Sequence, residues 1–349
     1  MKTVFQFVGY AGRILVLVAM AALPAFAQSS VDLHKFFQQE VGLSEEDIAN
    51  IQHGKAVVKV LPSRTQAEVF EFGAVYVHAR PESYLKFALD FDRFRQLPAY
   101  LALGVIEDPP QAADFKGFSF EDGDIKALKN CKPGDCPIKL PANAMGEFQR
   151  SVDWSAPDVN EKVNEALQET ALKRLRAYRK EGNRVLAVYN DKRVETDVGQ
   201  QFAYMLSYAK ALPAYLPDFY RYLLDYPDRK PANVEDAFYW SRVKFGLKPT
   251  LRVVQVVTMR GRPGDAIACA VAEKQLYASH YFDTALDMSF CVQDDISQHG
   301  FYLITVKGSE STALTTFRGA IIRKAAVDRS RSSLKDVLST IRNILEENP

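Results

Sequence analysis

The chain has 349 residues and a mass of 39.2 kDa. It is 47% hydrophobic and 25% charged, with 18 glycines, 17 prolines and 4 cysteines, which excludes a disordered, collagen-like or disulfide-dense small protein and allows two domains or one domain with a large insertion. With 44 basic residues against 43 acidic ones, net +1, no single-signed field marks a nucleic-acid partner.

Residues 1–27 read as a secretory signal peptide: Lys2 and Arg13 without an acid, an apolar run over 14–22, then Pro24 and the small-residue site Ala25, Phe26, Ala27. The apolar run is shorter than the ~20 residues a membrane span needs. Cleavage after Ala27 puts Gln28, not a lipid-accepting cysteine, at the new N-terminus. Losing Lys2 and Arg13 leaves 42 bases against 43 acids, a net −1. A soluble product, periplasmic or secreted, is the expectation.

Ser44 to Asp47 form a capping-box-like start to a helix carried on by Ile48 and Ile51 and stopped at Gly54, so 28–55 is a helical N-terminal segment. The β-rich runs 56–61 and 69–77 predict a hairpin. Pro81 and Glu82 then open a helix whose Tyr84, Leu85, Ala88, Leu89 and Phe91 share one side. Residues 99–140 are turn-rich, with short strands expected at 101–106 and 115–120. Cys131 and Cys136 flank Pro133 and Gly134, and in an oxidising compartment that turn invites a local disulfide worth about 2 kcal/mol in the chain-entropy model. A metal half-site, the competing reading, lacks a second ligand pair nearby.

From Ser155 the pattern turns helical, with Val159, Val163, Ala166, Leu167, Leu175 and Tyr178 on one face up to Gly182. Further helical stretches at 198–211 and 218–224 make 155–235 a helical insertion between two β-rich parts, 56–154 and 236–349. Its aromatic run, Tyr204, Tyr208, Tyr215, Phe219, Tyr220, Tyr222 and Tyr226, reads as core packing with phenols at the rim. Strands return at 237–245, 251–259, 267–276, 281–292 and 301–306. Cys269 and Cys291 sit in two of them, either as a second disulfide worth about 3 kcal/mol or as two buried thiols.

An amphipathic helix closes the chain, with Leu334, Val337, Leu338, Ile341, Ile344 and Leu345 on one face. Its start is placed after about Asp328, because Arg323 would otherwise fall on that face. Between Phe317 and Lys335 six basic residues meet one acid. Lys324, Arg331, Lys335 and Arg342 line up beside the apolar face, suited to peripheral contact with an anionic membrane or, alternatively, to a solvated edge whose stems shield the core.

This order of elements, with Val75 to Asp90 carrying a Pro81-Glu82 pair at the strand-to-helix step, resembles the helix-grip fold of START and related SRPBCC-like lipid-transfer domains. The resemblance implies an α+β fold: a curved antiparallel sheet around a long C-terminal helix, with the helical insertion set apart. It also implies a tunnel between sheet and helix for an apolar or amphipathic, lipid-like ligand. Residues 239–249 and 275–283 are also similar to a family of exported bacterial proteins to which no activity is attached. On this reading His280, Tyr281, Phe282, Tyr277 and Trp240 are the ligand-contact candidates.

The chain has no nucleophile elbow, P-loop, zinc-protease helix or dinucleotide fingerprint, so no cofactor is expected. His34, His53, His78, His280 and His299 are dispersed, so no metal site is expected either. In an extended segment Asp283 faces away from His280, which disfavours a Ser-His-Asp arrangement. His280 is then a polar anchor in an apolar tunnel or a core histidine on a backbone carbonyl. The acid pairs Asp122 with Asp124 and Asp294 with Asp295 read as solvated turns. The expected function is a non-catalytic binding protein. The alternatives are an envelope enzyme using His280 with Tyr281 or Tyr277, and an interaction protein built on the helical block.

Overall fold

A computed structural model describes residues 32–209, 212–244, 248–293, 300–315 and 317–347. Residues 1–27, read above as a signal peptide, and His299, Asp294 and Asp295 lie outside the described residues. The chain begins with α1 (Leu33–Lys35), which runs on as a π-helical turn (Phe36–Val41), and α2 (Glu45–Gln52). Ser44 and Asp47 form a reciprocal capping box at the start of α2. Next come β1 (Val57–Leu61), β2 (Glu68–Val77), α3 (Pro81–Ala88), α4 (Phe91–Gln96) and β3 (Tyr100–Ile106). Pro81 occupies the first turn of α3, where its missing N–H costs nothing, and the Asp90 carboxylate caps α4 by accepting the Arg93 N–H.

The chain then leaves the sheet through α5 (Asp122–Leu128), α6 (Ala142–Ser151), α7 (Val159–Glu181), the small β4 (Val188–Tyr189) and β5 (Thr196–Asp197) pair, α8 (Val198–Tyr208), α9 (Leu212–Tyr215) and α10 (Pro217–Asp225). It returns as β6 (Val234–Lys244), β7 (Pro249–Arg260), β8 (Ile267–Ala278), β9 (Thr284–Gln293) and β10 (Phe301–Glu310), and ends in α11 (Phe317–Glu347). Eight strands make one antiparallel sheet in the order β1-β2-β10-β9-β8-β7-β6-β3. The excursion therefore departs and re-enters between neighbouring strands, with Ile106 opposite Phe238. It begins after Ile106, well before the expected residue 155, and residues 115–120 are not a strand. There Phe115, Phe118 and Phe120 are buried around a 3-10 turn, and the Phe120 N–H donates to the Asn164 side chain.

Both faces of the sheet are covered. On one, Val75, Val77, Leu303 and Cys291 pack with Tyr84 and Leu85 of α3 and with Leu334, Leu338 and Ile341 of α11. On the other, Phe72, Tyr76, Trp240, Val253 and Met288 pack with Phe37, Ile48 and the excursion helices. Two glycines permit close approach. A Cβ on Gly73 would stand 2.6 Å from Leu338 Cδ1, and one on Gly104 would stand 2.2 Å from the Trp240 indole nitrogen.

The α11 face does not offer a purely apolar lining. Glu71, Lys307, Asp287 and Glu273 stand directly opposite one another across β2, β10, β9 and β8. Burial pushes the Glu71 and Glu273 carboxyls above their ordinary values, while Asp287 pairs with Lys307 at 3.1 Å.

Helix α11 begins eleven residues before Asp328, since Arg323 is accommodated on it. Its guanidinium donates to the carbonyls of Gln66 (2.9 Å) and Glu68 (2.9 Å), so a charged group beside the core keeps its hydrogen bonds. Arg342 is not a free surface cation. It is half-buried, donates to the Gly54 carbonyl that ends α2 and pairs with Glu346, whereas Lys324, Arg331 and Lys335 are exposed.

Cys131 is bonded to Cys136 and Cys269 to Cys291, and two disulfides suit an oxidising, extracellular setting. No helix among the described residues is long and apolar enough to cross a membrane.

Candidate functional site

Two adjoining pockets lie on the insertion side. The first, about 90 Å³, is enclosed by α6, α7, the 185–189 segment and the ends of β7 and β8. Its walls are apolar: Phe118, Leu140, Phe148, Leu167, Val253 and Leu276 are among the lining residues. The half-buried Thr170 and Ala171 and the exposed Arg174 also line it. Three phenols, Tyr178, Tyr189 and Tyr277, interrupt the apolar lining. The Tyr178 hydroxyl donates to Gln255 at 2.6 Å, the Tyr277 hydroxyl is buried without a hydrogen-bond partner, and burial pushes all three above the ordinary phenol range.

The second pocket, about 200 Å³, is called the polar pocket for the ionisable side chains around it, although most of its surface is apolar; it is lined by Pro137, Lys139, Asp191, Lys192, Lys248, His280, Tyr281 and Ala313. Three backbone stretches build the wall shared by both pockets: Leu140 and Pro141, Tyr189, and Leu276 and Tyr277 face the first; Pro137 and Lys139, Asp191 and Lys192, and His280 and Tyr281 face the second. They are laced together by Asn190 N–H to Leu140 O (3.0 Å), Cys136 N–H to Asp191 O (3.1 Å) and Lys139 N–H to Ser279 O (3.0 Å). The Cys131–Cys136 disulfide closes the turn at one end of this wall.

The polar pocket is held by buried ion pairs. Lys139, 6% exposed, donates to Asp283 and lies 3.9 Å from Asp191. Asp283 also accepts the Thr312 N–H and lies behind the wall. His280 places Nε2 2.9 Å from Asp124 Oδ2 and Nδ1 3.2 Å from the Pro137 carbonyl. Both ring nitrogens are therefore occupied by oxygen partners, one a carboxylate and one a backbone carbonyl. Burial works to raise the Asp124 carboxyl, but the hydrogen bond and charge of His280, with Lys248 at 3.3 Å, outweigh it and hold that carboxyl below its ordinary value. Burial raises the Asp191 carboxyl against the pull of Lys139.

Asp124 is thus a buried partner in α5 rather than a solvated turn residue, because folding brings it to a histidine remote in sequence. Beyond Ala278 the expected strand gives way to a bend, and Tyr281 adopts a left-handed backbone (φ 61°) that a bulky residue rarely takes. The bend sets the Tyr281 ring beside His280, centroids 6.3 Å apart, and its hydroxyl accepts the Lys248 N–H at 2.8 Å.

Of the sequence candidates, Tyr277 lines the apolar pocket and His280 and Tyr281 the polar one. Trp240 and Phe282 line neither. Trp240 is buried against Gly104 and Phe118, with its indole N–H on the Asp114 carbonyl at 2.7 Å. Lys139, Asp191, Lys192, Lys248, Arg174 and Tyr189 escaped the sequence reading, since no local pattern separates a surface lysine from one folded into a wall. No group of metal-ligating side chains occurs among the described residues.

The chain is an α+β protein with a large antiparallel sheet and a C-terminal helix. No protein-family model matches it, and no curated protein does. The crystal structure of the di-domain ARO/CYC StfQ from the steffimycin biosynthetic pathway overlays 86% of this chain and 93% of its own at 12% identity, with a TM-score of 0.22, a likeness too loose to bear on fold or function.

Proposed function

We propose that the protein is an exported, non-catalytic binding protein of the helix-grip kind that takes the apolar part of an amphipathic small molecule. The observation that carries this is the apolar pocket under α7, with the unpartnered Tyr277 hydroxyl in its wall and the exposed Arg174 in its lining. Burial of an apolar group there contributes about 25 cal/mol per Å², and a polar head would meet Arg174. At about 90 Å³ the pocket suits a short alkyl or aryl group, well below the ~300 Å³ of drug-sized sites, so an entire lipid is not the expected ligand. The helix-grip assignment is supported by β2, α3 and α4 preceding β3, by the strand order, and by α11 lying across β2. Export is supported by the residue 1–27 pattern and the two disulfides.

Calorimetric titration of the full mature chain with n-alkyl alcohols from butanol upward tests the pocket. Affinity is expected to rise by about 0.8 kcal/mol per methylene until the pocket is full and then to level off. Ala171→Trp should abolish binding without lowering the melting temperature. No binding at any chain length, with no ligand carried by the native protein in mass spectrometry, would sink the reading. Peripheral contact with anionic lipid belongs to the same reading and rests on Lys324, Arg331 and Lys335, without Arg342. Co-sedimentation with phosphatidylglycerol but not phosphatidylcholine vesicles is expected, and equal partition would remove it.

A further inference from the structure

We infer that the polar pocket is a binding site for a small anionic group of the phosphate, sulfate or carboxylate class. Its lining carries three lysines, Lys139, Lys192 and Lys248, with His280, against a single carboxylate, Asp191. The other two carboxylates that neutralise the cluster stand behind it: Asp283 holds Lys139 and Asp124 holds His280, so both anchor lining groups without facing the cavity. Two of the lining groups are themselves buried, with Lys139 and His280 each 6% exposed, and both ring nitrogens of His280 are already occupied, so the free donors are the lysines'. Ammonium groups fixed by partners on one side and lining a cavity on the other make a preorganised anion site.

Donors remain to be filled. An ammonium has three N–H groups. Lys139 makes one hydrogen bond, to Asp283, with Asp191 too distant at 3.9 Å for a second. Lys192 stands 3.8 Å from Asp191 and Lys248 uses one N–H on Asp124, so both half-exposed lysines can turn N–H groups inward. The left-handed backbone at Tyr281 is a cost the fold bears at this place, and it puts the ring into the pocket wall. About 200 Å³ holds such a group together with some of its water.

Lys139 Nζ lies 6.0 Å from the Tyr189 ring centroid, so charged and apolar pockets meet across one pair of side chains. The anion can therefore be the head of the amphiphile that fills the first pocket, an extension that rests on the binding reading above, or a free small ion.

Calorimetry with inorganic phosphate, hexyl phosphate and hexanol on the full mature chain decides. Both phosphates are expected to bind, and Lys192→Ser with Lys248→Ser should weaken both about tenfold while leaving hexanol unchanged. Lys192→Glu, which touches none of the His280–Asp124 contacts, should do the same to phosphate with no change in melting temperature. If hexyl phosphate binds more tightly and Ala171→Trp removes only that advantage, the anion is the head of the amphiphile. If the two phosphates bind alike and Ala171→Trp affects neither, it is a free ion. Either outcome supports the site. Failure of both phosphates to bind, or binding indifferent to the lysine substitutions, overturns it whatever hexanol does. Loss of hexanol binding alone removes the apolar pocket's role and leaves the anion site standing.

Discussion

Lys274 holds its Nζ 3.6 Å from the centre of the Phe202 ring, and its polar partners are neutral, the Tyr178 hydroxyl at 3.1 Å and the Asn183 side-chain carbonyl. It is 1% exposed, and no carboxylate pairs with it among the described residues. Burial pushes the amine well below its ordinary value of 10.5. Between the two values the unfolded chain binds the extra proton, so stability should rise with pH across that window. Melting temperatures followed from about pH 7 to about pH 10 should show the rise, and Lys274→Met should flatten it. An equal slope in the variant would assign the rise to other groups.

Glu310 titrates in the opposite sense. It stands across from Glu68 on β2, which Arg64 holds, and its own Oε2 has no partner. Burial first, then the charges of Asp283 and Glu68, push its carboxyl from 4.5 up to about 7. The folded state therefore binds the proton more tightly, and that stability is complete below about 4.5 and lost as pH rises through about 7. Glu310→Gln should be more stable than the native chain at about pH 8, by at most on the order of 3 kcal/mol, and should lose the advantage near pH 4, as urea midpoints at the two pH values would show.

Tyr277→Phe separates folding from binding. Deleting an unpartnered buried hydroxyl should stabilise the ligand-free protein by about 1 kcal/mol. The same change should weaken hexanol and leave hexane unaffected, since only the alcohol offers the hydroxyl a partner. A destabilised variant with unaltered hexanol affinity would show the hydroxyl to be structural.

The contact of Gly73 with Leu338 can be measured as a cycle. Leu338→Ala should cost about 2–5 kcal/mol through the space it leaves, and Gly73→Ala about 1–3 kcal/mol through overpacking. Together they should cost less than the sum, because the new methyl enters the vacated space. Additive costs would place Leu338 elsewhere.

Alkylation in denaturant without reductant should label no cysteine, given the bonds Cys131–Cys136 and Cys269–Cys291. All four cysteines are buried, so under native conditions reductant should open neither pair until the surrounding structure opens. Two labelled thiols before reduction would remove one of the bonds.

Strands, the Pro81 helix start and the local cysteine pair were legible because each depends on neighbours in sequence. The alternation of β2 was harder to read: Glu68 and Glu71 are buried beside Phe70 and Phe72, since both faces of that strand are covered. Asp124 with His280, and Lys139 with Asp283, could not be paired from sequence, because one partner of each pair lies in the excursion and the other, more than 140 residues on, in the link between β8 and β9. Arg323 misled the helix boundary for a related reason. Its acceptors are the carbonyls of Gln66 in the distant β1–β2 turn and of Glu68 at the start of β2, and a carbonyl leaves no mark in a sequence.

The register of β2 also sets the order in which the molecule can be made. One side of β2 pairs with β1 at once, but the other waits for β10, which starts at Phe301, and β3 waits for β6 across the whole excursion. Nearly the entire chain must leave the ribosome before the sheet closes. Such long-range pairing folds slowly and keeps apolar strand edges open until β10 arrives.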